Sequence, residues 1–226
     1  MKKKMSNRHK EIADAFATLN STLSGKKEDY LEKISKVINK AIKKYDDKDF
    51  WKESYDKIVN LMYAALTDTY LETSITLKKI YNQITDTIPN IEDFIYQDDK
   101  ITLPQRIKGY WDEASNFLKN PEINIQEISL HLLTMYDRIL NNEMINVKQG
   151  VKKVKKPIAN DNEIITITIT NGECCSNGGF YLEEDAPELP PYHPNCDCDY
   201  WYDTYDIEDE QDLEELQEAG WEEEDG

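Results

Sequence analysis

Val151-Lys152-Lys153-Val154-Lys155-Lys156-Pro157-Ile158-Ala159-Asn160-Asp161-Asn162-Glu163-Ile164-Ile165-Thr166-Ile167-Thr168-Ile169-Thr170 is the stretch across which the chain changes character twice. The first change is in charge. Positions 1–156 hold all 27 Lys and Arg with 23 Asp and Glu, a net of +4, whereas positions 157–226 hold 22 Asp and Glu and no base, a net of −22. The second change is in period. From Glu163 to Thr170 apolar and hydroxyl side chains alternate, and a period of two predicts a half-buried β-strand. Pro157 to Asn162 is rich in turn formers and reads as a connector. The division therefore falls at Lys156-Pro157, with a helical domain over 1–156, a strand with a Cys/His module over 157–202 and an acidic tail over 203–226. The expected fold class is mainly α, followed by a small β/loop, Cys-rich, zinc-ribbon-like module.

Upstream of the division the period is helical. Tyr30, Ile34, Val37, Ile38, Ala41 and Tyr45 make an amphipathic stripe, and Gly25 fits a break before it. From Lys48 a second stretch carries Phe50, Trp51, Tyr55, Ile58, Val59, Met62, Leu66, Tyr70, Ile75 and Ile80 with no proline before Pro89, as one long helix or two in tandem. Thr102-Leu103-Pro104 opens a third, with Ile107, Trp111, Ala114 and Leu118 on one face and Asn120-Pro121 closing it. A fourth runs from Ile125 to Lys156 through Ile128, Leu132, Met135, Tyr136, Ile139 and Val147, with Gly150 near its end. Four or five helices follow from these patterns. The aromatic positions read as core packing rather than a ligand platform.

Composition narrows the function classes. The chain has 226 residues, a net charge of −18, a pI near 4.6, 39% hydrophobic residues and a mean hydropathy of −0.74. The longest mostly apolar run, Ile58 to Leu66, falls far short of the ~20 residues that a spanning helix requires, so no membrane partner is expected. Met1-Lys2-Lys3-Lys4-Met5 is basic, but polar residues follow where a secretory h-region would stand. The protein is expected to stay in the compartment where it is made. Overall acidity argues against general binding to a phosphate backbone, which Lys and Arg drive by displacing counterions. Contact with DNA would have to be local, through Lys152, Lys153, Lys155 and Lys156, residues that equally suit a solvated helix end.

All four cysteines lie beyond the strand, in Cys174-Cys175 and in His193-Pro194-Asn195-Cys196-Asp197-Cys198. So short a module buries little core of its own, and such modules usually need a metal or disulfides. Thiolates and an imidazole suit a closed tetrahedral zinc site. The candidate ligands are Cys174, Cys175, His193, Cys196 and Cys198, five for four places, and the preferred set is the four cysteines with His193 as alternate ligand or supporting group. Two disulfides between the cysteine clusters compete with this reading, and a reducing compartment favours zinc. A catalytic thiol is a third option, with His193 as the available base and no Lys or Arg nearby to lower a thiol pKa.

A cysteine pair, the Gly179-Phe180-Tyr181 stretch, a proline-bearing loop with Pro187, Pro190 and Pro191, and His-Pro-Asn-Cys-x-Cys resemble the carboxy-terminal signature of the phage minor head proteins. These are head morphogenesis proteins grouped with the F protein of phage Mu. The order of parts is similar too: a helix from Leu132 to Lys156 carrying Arg138 and Glu143, then the strand, then the Cys/His module. The chain departs from the pattern in three places. Cys174-Cys175 stands where the family has Cys-x-x-Cys, Asp197 stands where a basic residue is usual, and an intact Arg-Thr-Glu is absent. The resemblance covers about residues 132–202. It implies a non-enzymatic virion component, made in the host cytoplasm and placed at the portal vertex or capsid interior. Its implied partners are the portal and major capsid proteins, and its implied role is head morphogenesis or DNA ejection. A zinc-knuckle adaptor that binds a protein or nucleic acid is the alternative.

From Gln211 onwards the only large apolar residues are Leu213, Leu216 and Trp221, so the acidic tail is expected to be disordered. Its functional alternative is a linear motif with Leu213 and Leu216 on one face of an induced helix, docking on a basic partner.

Overall fold

The computed structural model describes residues 7–81, 101–120, 122–152, 159–171, 175–190, 192–193, 196, 198–219 and 221. Among these are five α-helices: α1 (Asn7–Lys43), α2 (Lys48–Tyr81), α3 (Leu103–Phe117), α4 (Ile125–Val151) and α5 (Glu210–Ala219). Three strands, β1 (Glu163–Thr170), β2 (Gly179–Leu182) and β3 (Asp199–Asp206), form one antiparallel sheet in the order β2-β1-β3. The chain divides into two compact units, one of residues 21–152 and one of residues 1–20 with 153–226.

The 21–152 unit is helical for local reasons. Asp47 Oδ1 accepts from the N–H groups of Asp49 and Phe50 and so starts α2. Thr102 and Gln105 form a reciprocal capping box on α3, with Pro104 in its first turn, where no N–H partner is needed. Asn124 caps α4 by accepting from Gln126 N. The apolar stripes then close on one another. Ile34 and Ile38 of α1, Ile58, Met62 and Leu66 of α2, Leu103 and Ile107 of α3, and Leu132, Tyr136 and Val147 of α4 are all buried. Trp51 and Trp111 stack with ring centroids 4.4 Å apart, and Trp111 Nε1 donates to Trp51 O at 3.3 Å. Glu143 is also inside, paired with Arg106; burial pushes its carboxyl up and the guanidinium holds it back.

The other unit is a sheet with helix on it. Opposed residues of antiparallel strands share a face, so the register places Ile164, Thr166 and Thr168 with Phe180 and Leu182 of β2 and with Trp201, Asp203 and Tyr205 of β3. Leu216 of α5 is fully buried against Phe180, Leu182 and Tyr205, with Ile164, Ile207 and Trp221 around them. On the same face lie the first turns of α1: His9 bonds Thr168, and Phe16 meets Trp201 at 6.3 Å between ring centroids. The β3 edge is blunted, because the N–H groups of Thr204 and Asp206 are taken by the carboxylates of Asp203 and Asp212. At the start of β2, a Cβ on Gly178 would collide with the Asn171 side chain at 2.7 Å and one on Gly179 with the Tyr181 hydroxyl at 2.8 Å.

Several expectations change. Gly25 does not break the first helix; α1 runs through it, and Tyr45 lies past its end with 43% exposure. The second stretch is one helix, with Ile75 exposed rather than in its core. β1 is not half-buried: as the central strand it is inaccessible on both faces from Thr166 to Ile169. The acidic tail is not disordered through Ala219, and Asp203 to Asp206 belong to β3. Asp209 caps α5 by accepting from Gln211 N and Asp212 N, and carboxylates in a first turn favour the helix dipole. The contact boundary lies between Lys152 and Lys153, and residues 1–20 fall with the carboxy-terminal unit rather than with the helices.

Candidate metal centre

The structure brings Cys175, Cys196 and Cys198 together, with sulfur atoms all within 4.8 Å of one another. Cys175 lies in the β1–β2 connection. Cys196 and Cys198 end the loop that leads into β3, where Cys196 N donates to His193 O at 3.1 Å. Pro and Asn, which favour turns, stand between those two residues in the sequence. Cys175 Sγ is 3.9 Å from Cys196 Sγ and 3.5 Å from His193 Nε2. Cys196 and Cys198 are buried and Cys175 is half-buried, and all three are thiols rather than disulfides.

The surroundings of Cys196 favour its thiolate. Burial pushes the Cys196 thiol up, but hydrogen bonds from the Tyr192 and Cys198 backbones and from the Cys198 and Cys175 side chains hold it at about 7. Burial raises the Tyr192 hydroxyl, which Asn177 lowers and the three cysteines raise. Three converging thiols, two of them buried, are a soft donor set that could bind a metal ion.

Of the five candidate ligands, three converge, and His193 reaches Cys175 while standing outside the group in which every pair is close. Cys174 lies outside the described residues, as do Lys153, Lys155 and Lys156 of the basic segment. No helix among the described residues is long and apolar enough to cross a membrane.

A second polar constellation sits on the sheet. Tyr205 Oη donates to Glu215 Oε2 at 3.1 Å and lies 2.8 Å from His9 Nε2, while His9 Nδ1 lies 2.5 Å from Thr168 Oγ1. A hydroxyl that gives its proton to a carboxylate must accept from the ring. His9 thus carries a proton on Nε2, and in its neutral form it accepts at Nδ1 from Thr168. Burial, then Arg8, lowers the His9 pKa to about 4. Arg8 pairs with Asp203 at 2.9 Å. These residues were missed in the sequence, although His9, Ile12, Phe16, Leu19 and Leu23 recur at helical spacing and are all buried. Comparison with protein-family models, with curated proteins and with solved structures finds no match for the chain.

Proposed function

We propose that the chain is a phage minor head protein, a structural and non-enzymatic component whose carboxy-terminal unit is held by zinc. The observation that carries the metal is the convergence of Cys175, Cys196 and Cys198. Zinc fits the Cys175–Cys196 and Cys175–His193 spacings. Zn–S bonds of about 2.3 Å and Zn–N bonds of about 2.0–2.1 Å in a tetrahedron give edges of about 3.8 Å between sulfurs and about 3.5 Å from sulfur to nitrogen, beside the observed 3.9 and 3.5 Å. In this reading His193 takes the fourth place by moving closer to the other sulfurs, since it stands 3.5 Å from Cys175 but outside the group whose ligand atoms are all within 4.8 Å of one another, and Cys174 is left over. The ion would fix the loop from Ser176 to Asn195 and present Tyr192 to a partner, the portal or the major capsid protein. The phage role is supported by the resemblance of the His193 to Cys198 motif and the order of helix, strand and module.

Two experiments test the reading. Elemental analysis with thiol titration on reduced protein should give one zinc per chain and three thiols protected until chelation. Cys174→Ser should keep the metal, while Cys175→Ser and His193→Ala weaken it. No metal, with every thiol reactive, overturns the zinc site. Mass spectrometry of particles produced from the source genome should find the chain in DNA-filled heads at low copy number. Its absence from heads and precursor heads overturns the virion role and favours an adaptor.

A further inference from the structure

The strand that leaves the cysteine site is the strand on which the first turns of α1 rest. Cys198 is followed at once by Asp199, the first residue of β3. Four alternate residues of β3 lie on one face, and each meets α1. Asn20 Nδ2 donates to Asp199 Oδ2 at 3.2 Å, and Phe16 lies against Trp201. Arg8 pairs with Asp203, and His9 bonds Tyr205. The contacts run in order, so Asn20 and Phe16 sit nearest the cysteines and Arg8 and His9 farthest away. Asp199 and Trp201 are buried, and Ile12, Phe16 and Leu19 of α1 are buried too.

This placement has a thermodynamic consequence. A metal held by Cys175, Cys196 and Cys198 ties the β1–β2 connection to the entrance of β3. It thereby restricts the backbone that carries Asp199 and Trp201. Seating Asn20 and Phe16 restricts the same backbone from its other side. Each event supplies ordering that the other need not supply again, and such coupling is reciprocal. We propose that docking of the first turns of α1 on β3 and metal binding at the three-cysteine site are coupled, so that the amino-terminal segment is a sensor arm whose seating reports whether the site is loaded. The proposal rests on the metal reading above. It adds that Phe16 and Asn20, 155 to 182 positions upstream of the three cysteines, act as positioning residues for the ion.

The test uses the full chain under reducing conditions. Hydrogen exchange of the amides of residues 12–20 is compared in zinc-loaded and chelated protein, with α3 as internal reference. Zinc affinity is measured by chelator competition for the unaltered chain, Phe16→Ala, the milder Asn20→Ala and Leu130→Ala, an exposed control. Coupling of ordinary size predicts that chelation speeds exchange over 12–20 by at least about fivefold, and that Phe16→Ala and Asn20→Ala weaken zinc binding by a comparable factor. α3 and Leu130→Ala should not change. If zinc binds but exchange over 12–20 and both affinities stay the same, the coupling is wrong and the metal site stands. If the unaltered chain takes up no zinc, the metal reading fails and the coupling with it.

Discussion

At the scale of single residues, His9 is the most consequential side chain outside the cysteine site. It is buried and neutral, and its ring links Thr168 to Tyr205. Its folded pKa of about 4 lies below the ordinary 6.5, so between those values the unfolded chain binds the extra proton. Stability is therefore complete above pH 6.5 and falls as the pH drops towards 4, by up to about 3 kcal/mol for a shift of this size. Asp203 opposes this: burial raises its pKa despite Arg8, so acidification towards its own range favours the folded form. The two effects separate by substitution. His9→Gln should lower stability at pH 7 and flatten the decline between pH 6.5 and 4.5, measured by urea unfolding at several pH values. An unaltered slope would remove His9 as its cause. Gly25 gives the opposite sign. It stands inside α1 with nothing within 4 Å of an added Cβ. Gly25→Ala should then stabilise the protein by about 0.8–1 kcal/mol, seen as a higher Tm.

At the scale of elements, what was legible in the sequence is what is written locally. Thr102, Pro104 and Gln105 announce α3 because capping and fixed φ are properties of neighbouring residues, and the Ile107, Trp111 and Ala114 stripe states which face is buried. β1 was legible in position but not in burial, since alternation cannot show that a second strand pairs on each side. α5 was not legible as ordered structure. Leu213 and Leu216 suggest at most a helix induced by a partner, and only the distant Phe180, Leu182 and Tyr205 explain Leu216 within the chain itself. The site was legible to a similar degree: residue type named the candidate ligands, but only the fold brings Cys175 beside Cys196, 21 residues further on. If α5 is an element of the core, Leu216→Ala should cost about 2–5 kcal/mol, the usual range for a buried leucine. Amide exchange in β1 is the readout. A change below about 0.5 kcal/mol, as for ordinary surface substitutions, would return α5 to the status of a tail.

At the scale of the whole molecule, charge is distributed by unit rather than by helix and strand. The unit of residues 1–20 and 153–226 holds 8 basic and 24 acidic residues, a net of −16, against 19 and 21, a net of −2, for residues 21–152. Like charges at this density oppose the compact state, and salt screens them: the Debye length falls from about 30 Å at 0.01 M to about 8 Å at 0.15 M. Arg8 works the other way, paired with Asp203 at 2.9 Å and with Asp212 at 3.8 Å. Arg8 and Asp203 also weaken in salt, but the Asp203 side chain is 10% exposed and hence only partly screened. Attractions through one guanidinium are outweighed by the repulsion among two dozen carboxylates. Raising salt from 0.01 to 0.15 M should therefore slow amide exchange in β1 while leaving α4 nearly unchanged. A basic protein surface should do the same at constant salt, because it supplies the missing countercharge directly. If salt instead speeds exchange in β1, ion pairs such as Arg8–Asp203 govern this unit, and the acidic surface has no electrostatic demand for a basic partner.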